Sequence, residues 1–248
     1  LHIPPILAQG WSNRGSADVP EVLHFLHETL AEMADPFQMK GMETAVVKLE
    51  QAITDKQRIV IYGDYDVDGI TSTSLVYSVL RDLGAAPQFY IPERQSDGYG
   101  LNEGALAPLS RQADLLITVD CGISSYDLVR KFSPALDMII TDHHEPPDLI
   151  PPALAVLNPK QDGCPYPVKE LAGAGVAYVL CRALWQHHCQ EDLPGYADLA
   201  ALGTIAALVP LTGQNRILVR YGLAAMKEGK RTGLKALPDA SNLSGRAI

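Results

Sequence analysis

No stretch of this sequence is apolar for long enough to cross a membrane as a helix. Spanning takes about 18 residues, and the longest near-apolar run, Leu199–Leu211, has 13. The opening Leu-His-Ile-Pro-Pro has no basic segment ahead of an apolar one, so no secretory signal is visible. It also lacks an initial Met, which points to a trimmed chain. Cysteine is scarce, and Cys121, Cys164, Cys181 and Cys189 form no C-x-x-C pair. A chain of 248 residues builds a core without disulfides, so these read as incidental thiols of a cytoplasmic protein. There is no basic excess either. Twenty Lys and Arg against 29 Asp and Glu leave a net charge of −9, which argues mildly against holding nucleic acid by polyanion attraction alone. Internal repeats and low-complexity segments are missing. No G-x-G-x-x-G follows the first β-like run, which sets aside a Rossmann nucleotide binder.

What is there is an ordinary globular composition, 47% hydrophobic and 20% charged. Residues 1–57 read as a helical lead, with helical spacing at Val22, Leu23, Leu26, Leu30 and Met33 and again at Met42, Ala45, Val46, Leu49 and Ala52. From Arg58 the texture turns to short β-rich runs: Arg58–Tyr62, Gln88–Ile91, Leu115–Val119, Met138–Thr141 and Ala155–Leu157. Helical patterns separate several of them, notably Ile70–Leu83 and Asn102–Leu109. This alternation predicts an α/β fold, a doubly wound, mostly parallel sheet flanked by helices. Three further helices are expected over Gly175–His188, Tyr196–Leu208 and Asn215–Lys227. The division is then a lead (1–57), a catalytic α/β domain with a helical C-terminal part (58–237) and a loose tail (238–248).

The acidic residues are placed with meaning. Arg58–Tyr62 runs into Gly63-Asp-Tyr-Asp-Val-Asp-Gly69, Leu115–Val119 into Asp120-Cys-Gly122, and Met138–Thr141 into Asp142-His-His144. In open parallel sheets, functional groups collect at the carboxyl ends of strands. Five Asp and two His gathered there repel one another unless a cation sits among them, and carboxylate dominance favours Mn²⁺ or Mg²⁺ over softer ions. If the segment is extended, Asp66 and Asp68 leave the chain on the same side and hold neighbouring ions. Extended backbone would likewise send His143 and His144 in different directions. Gly69 would allow a tight turn into the next helix, whose Thr71, Ser72 and Thr73 offer donors to an anion. Taken singly, each signal is bland: an Asp after a strand is commonly a cap or turn residue. A His-His pair such as His187-His188 commonly lies on an ordinary helix face. Coincidence at three strand ends is what carries the reading.

These residues resemble motifs of the DHH phosphoesterase superfamily. The likeness rests on Asp64-Tyr-Asp-Val-Asp-Gly69, Val119-Asp-Cys-Gly122, Asp142-His-His144, and Gly203-Thr-Ile-Ala206 with Val209-Pro-Leu211. Intervening segments fit its bacterial branch of single-strand-specific 5′→3′ exonucleases: Asn13-Arg-Gly15, Asp35-Pro-Phe37, Gly98-Tyr-Gly-Leu-Asn102, Asn158-Pro-Lys160, Cys164-Pro-Tyr-Pro167, Lys169–Gly173 and Gly213–Tyr221.

The resemblance implies two-metal hydrolysis of phosphodiester bonds in single-stranded DNA by a monomeric, cytoplasmic repair enzyme using two Mn²⁺ or Mg²⁺ ions. Asp120 is the expected bridge, Asp66 serves one ion, and Asp68 with His143 serves the other. Asp64 and Asp142 are expected as direct ligands or as residues orienting them. His144 is expected to hold the scissile phosphate or protonate the leaving group, with Arg94, Tyr99 and Asn102 contacting the strand. The family's fourth motif ends in a metal-binding Asp where this chain has Ala207, so an impaired site is expected. Members also continue into C-terminal DNA-gripping domains, so these residues are expected to be a catalytic core. Two alternatives stay open: a DHH enzyme for short oligonucleotides or cyclic dinucleotides, and a non-catalytic scaffold.

Overall fold

The computed structural model describes residues 4–13, 18–95, 98 and 100–241. The chain divides after Met33 into two compact units. The first holds α1 (Pro5–Ser12) and α2 (Val19–His27), with Trp11 and Phe25 meeting edge to face at 6.3 Å between ring centroids. The helical spacing predicted through Met33 is cut short. A capping box between Thr29 and Glu32 opens a separate 3-10 turn, Leu30–Glu32, because these side chains satisfy the backbone N–H groups that start a new helix.

Among the described residues of the second unit, five strands form one sheet: β1 (Ile59–Tyr62), β2 (Gln88–Tyr90), β3 (Leu115–Val119), β4 (Asp137–Thr141) and β5 (Ala155–Leu157). Every pairing is parallel and the order is β2-β1-β3-β4-β5, the doubly wound α/β sheet expected from the sequence. β1 and β3 are buried along their whole length, as strands covered on both faces must be. On one face Val60, Tyr62, Leu116, Met138, Ile140 and Val156 pack with Leu101, Leu106 and Val129, which come from around α5 (Glu103–Gln112) and α6 (Tyr126–Phe132). The other face is covered by α4 (Val67–Asp82) and α7 (Gly173–Cys189).

The lead expected over 1–57 does not behave as one piece. α3 (Met42–Thr54) buries Met42, Ala45, Val46, Leu49 and Ala52 against α7 and β5, within the larger unit. α8 (Ala197–Ala206) and α9 (Gly213–Glu228) follow as predicted, within a few residues. α10 (Thr232–Ala240) runs into the tail expected from residue 238, and residues 242–248 of that tail lie outside the described residues. Among the described residues, no helix is long and apolar enough to cross a membrane.

In this strand order β2 lies to one side of β1 and β3 to the other. The crevice at that switch point is where ligands bind in such sheets. It opens between the carboxyl ends of β1 and β3, beside β4.

Candidate metal centre

Asp64 follows β1 by two residues, Asp120 follows β3 by one, and Asp142 follows β4 by one. Because β1, β3 and β4 are neighbours, the three carboxylates meet at one end of the sheet. Among the described residues, two sets of ligand atoms lie close enough to share an ion: Asp64, Asp66 and Asp120, and Asp120, His143 and His144. Asp120 belongs to both.

Asp120 is held in an unusual way. Its φ is 60°, a left-handed conformation that costs a non-glycine residue energy and often marks a functional site. The Thr118 hydroxyl donates to the Cys121 carbonyl at 2.8 Å, pinning this turn from the strand below. Gly173 supplies the room, since a Cβ there would stand 2.5 Å from Asp120 Oδ1. That oxygen is buried and accepts no hydrogen bond among the described residues. Burial, reinforced by Asp68, Asp66 and Asp142, pushes the carboxyl up to about 10. An acidic oxygen left bare at such cost fits a cation, and the carboxylate-rich donor set with imidazole fits Mn²⁺ or Mg²⁺.

The neighbouring groups divide into two kinds. Asp66 is exposed and caps α4, accepting from Gly69 N at 2.9 Å. Asp68 lies inside that helix and is buried, and its two oxygens accept from Gly173 N (2.8 Å) and Ala174 N (2.7 Å) at the start of α7. The extended segment expected to bring Asp66 and Asp68 to one side is therefore absent. The helix begins at Val67, and residues two apart on a helix diverge by about 200°. Burial raises the Asp68 carboxyl, partly offset by the Ala174 amide. Asp64 is also raised by burial.

His143 Nε2 stands 3.1 Å from Asp120 Oδ1 and 3.7 Å from Asp68 Oδ2. The two imidazoles are not splayed as an extended backbone would require. Their centroids lie 4.5 Å apart, because the chain turns over Asp142, whose Oδ1 accepts from the backbone N–H of both His143 and His144. His144 Nδ1 lies 2.7 Å from the same oxygen, and Ile123 N donates to Oδ2 at 2.9 Å. Burial pushes Asp142 up, yet His144 and these amides outweigh it and hold the carboxyl below its usual range. Asp142 raises His144 in return. Asp142 is thus occupied in orienting the two histidines.

Three other expectations change. Thr71, Ser72 and Thr73 donate their hydroxyls to Val67 O, Asp68 O and Gly69 O, so they close the helix on itself instead of facing an anion. Gly69 has no special turn to make. A Cβ there would stand 2.6 Å from Asp64 Cβ, so close approach is its reason. Asn102 caps α5 through Ala105 N (2.8 Å) and gives its Nδ2 to the Tyr62 hydroxyl (3.0 Å), tying its loop to β1. Arg94 lies over the ring of Tyr65, 5.5 Å from its centroid, next to Asp64. Tyr99 lies outside the described residues.

Ala207 caps the end of α8, its N–H donating to Gly203 O at 2.8 Å. Gly203 abuts the centre: a Cβ there would be 2.7 Å from Asp68 Oδ1. Residues four apart share a helix face, so position 207 lies on the Gly203 side, one turn on. Sequence reasoning quoted Gly173, Gly203 and Asn158 as motif residues without finding their roles, and it missed Thr118. The absence of side-chain bulk at the two glycines was the available signal.

Comparison with known proteins places the chain among relatives. The family model described as "DHH family, N-terminal domain" matches residues 58–204. The single-stranded-DNA-specific exonuclease RecJ of Bacillus subtilis is 46% identical over 239 residues, covering 96% of this chain and 30% of that protein. A crystal structure of exonuclease RecJ bound to manganese superposes with a TM-score of 0.76 at 39% identity, over 84% of this chain and 54% of that one. RecJ from Thermus thermophilus in complex with Mn²⁺ gives 0.76 at 35% identity, over 93% of this chain and 32% of that one. The chain thus spans about a third of the curated relative it matches.

Proposed function

Because the chain belongs to the DHH family, we propose that it forms the catalytic core of a metal-dependent exonuclease that hydrolyses single-stranded DNA from the 5′ end. The observation that carries this reading is Asp120, shared by two ligand sets and presenting a buried oxygen with no hydrogen bond. The relatives' names and their manganese complexes point the same way.

In this reading Asp64, Asp66 and Asp120 would hold one divalent ion, and Asp120 with His143 would hold a second. Two such ions would stabilise charge building on the phosphoryl oxygens and make water a better nucleophile. Asp68 draws the start of α7 over the site and stands close enough to His143 to orient it. Asp142 fixes the His144 ring through Nδ1, so that Nε2 meets the scissile phosphate or gives a proton to the leaving oxygen. Arg94, braced on Tyr65, contacts the strand's backbone. The enzyme works as a monomer, and further grip on DNA comes from segments outside these residues.

Ala207 offers no ligand atom one turn from Gly203, and we place the impairment of the site there. The experiment is digestion of 5′-labelled single-stranded DNA with Mn²⁺ by the full chain and by Ala207→Asp. Slow cleavage that chelator abolishes is expected, rising about 10-fold or more in Ala207→Asp. No cleavage by either protein overturns the nuclease reading. Equal cleavage by both overturns the assignment of the defect to position 207. Faster attack on di- and trinucleotides than on long strands moves the substrate to short oligonucleotides.

A further inference from the structure

The Asn158-Pro-Lys160 segment has no part in the chemistry above, yet it touches the Asp-His-His turn directly. β5 runs beside β4 with Thr141 opposite Leu157, and Asp142 N donates to Leu157 O at 3.0 Å. A parallel ladder would next take the N–H of residue 159 as its donor. That residue is proline and has no N–H, so the backbone ladder stops at the point where the histidines begin.

Asn158 takes over with its side chain. It is fully buried, and its Nδ2 donates to His144 O at 2.8 Å. Its Oδ1 accepts from Lys160 N at 2.8 Å. The second bond settles which end of the amide faces which partner: Lys160 N can only donate, so the oxygen faces it and the nitrogen faces His144. Gln161 Nε2 then closes the loop on Val156 O and Asn158 O. His144 is held from two directions, its ring by Asp142 and its carbonyl by Asn158.

We propose that Asn158 is a positioning residue that sets the His144 ring for the reaction, its side-chain amide carrying the link between the two strands onward to His144 O where Pro159 offers no N–H. This rests on the proposed nuclease reading for its kinetic consequence, but the positioning itself can be tested without it.

The test compares the full chain with Asn158→Ala and Asn158→Asp, using Tyr166→Phe as a control. Tyr166 donates to Gln214 Oε1 at 2.6 Å in a buried pair made with α9, so its loss weakens the fold without touching the Asp-His-His turn. The Asp variant keeps the acceptor for Lys160 N and sets a second acceptor oxygen against His144 O where the donor stood, so it carries the test if Asn158→Ala does not fold. Two readouts are used: the ring nitrogen NMR signals of His144 with Mg²⁺ present, and kcat and KM for single-stranded DNA with Mn²⁺. The expected result is shifted or broadened His144 ring signals and a kcat lower by about 10-fold or more, with KM within about 2-fold. Tyr166→Phe should leave both readouts at the unmodified level. Ring signals and kcat unchanged in a folded Asn158 variant would overturn the proposal. So would a loss of kcat matched by Tyr166→Phe, since a general weakening of the fold would then suffice. If the unmodified chain cleaves nothing, the nuclease reading fails while the ring signals still decide the role of Asn158.

Discussion

Asp120 Oδ1 stands 3.1 Å from His143 Nε2 and accepts no hydrogen bond from it. Two complementary groups lie in reach but are not aligned toward each other. Alignment toward a common third partner explains this arrangement, and the neighbouring carboxylates of Asp64 and Asp66 complete the surroundings of such a partner.

The first prediction concerns the cost of that oxygen. Without metal, the site must keep Asp120 protonated or pay for its charge. Replacing Asp120 with Asn removes the acid and keeps the shape. In chelator at pH 8, Asp120→Asn should be more stable than the unmodified chain, on the order of 2 kcal/mol, and it should lose tight Mn²⁺ binding. Thermal melts and calorimetric titration measure the two halves. A variant that melts lower in chelator, or binds Mn²⁺ equally well, contradicts the role assigned to Asp120.

A second prediction follows from the sign of the carboxyl shifts. Burial raises Asp64, Asp68 and Asp120 in the folded chain. Above pH about 4, where an unfolded Asp has lost its proton, the folded chain therefore binds more protons than the unfolded one. Their contribution is fully present below that pH and is lost as pH rises toward the folded value of about 10 for Asp120. Asp142 and Asp114 act oppositely. Both are lowered, Asp114 to about 2 beside Arg58, and their contribution is lost as pH falls. The metal-free chain should thus melt lower at pH 9 than at pH 6, and Mn²⁺ should narrow that gap by replacing the bound protons. Equal melting temperatures in chelator at the two pH values would count against a strained carboxylate cluster.

The third prediction contrasts two glycines. A Cβ at Gly173 would press to 2.5 Å from Asp120 Oδ1, whereas one at Gly233 in α10 meets nothing within 4 Å. Gly173→Ala should cost about 1–3 kcal/mol and weaken Mn²⁺ binding by about 10-fold or more. Gly233→Ala should stabilise the chain by about 0.5–1 kcal/mol through helix propensity and leave Mn²⁺ binding unchanged. Unmodified metal affinity in Gly173→Ala would show that the close approach of α7 does not shape the site.

Much of this was legible in the sequence because it is local. Ile59–Tyr62 and Leu115–Val119 are apolar at nearly every position, and only strands buried on both faces tolerate that pattern. Acidic residues placed directly after strands announce the chemical end of a parallel sheet wherever the strands lie. The ordered DHH-like motifs added the family. By itself, then, the sequence determined the α/β class, the strand set, the polar end of the sheet and the kinds of ligand atom available there.

The tertiary structure decided what each group does. Local pattern could not reveal that β1, β3 and β4 are neighbours, nor that α7 brings Gly173 and Ala174 onto Asp68 from 105 and 106 residues away. It also misplaced the Asp66 and Asp68 pair on one extended segment. The Asp66 cap starts the helix at Val67, so one carboxylate turns outward and the next lies buried. The physical reason is the same throughout. Side-chain periodicity records which face of an element is covered, but the partner of a buried oxygen is chosen by packing between distant segments. Only there do Asp120 with its bare oxygen and Asn158 with its bond to His144 acquire their roles.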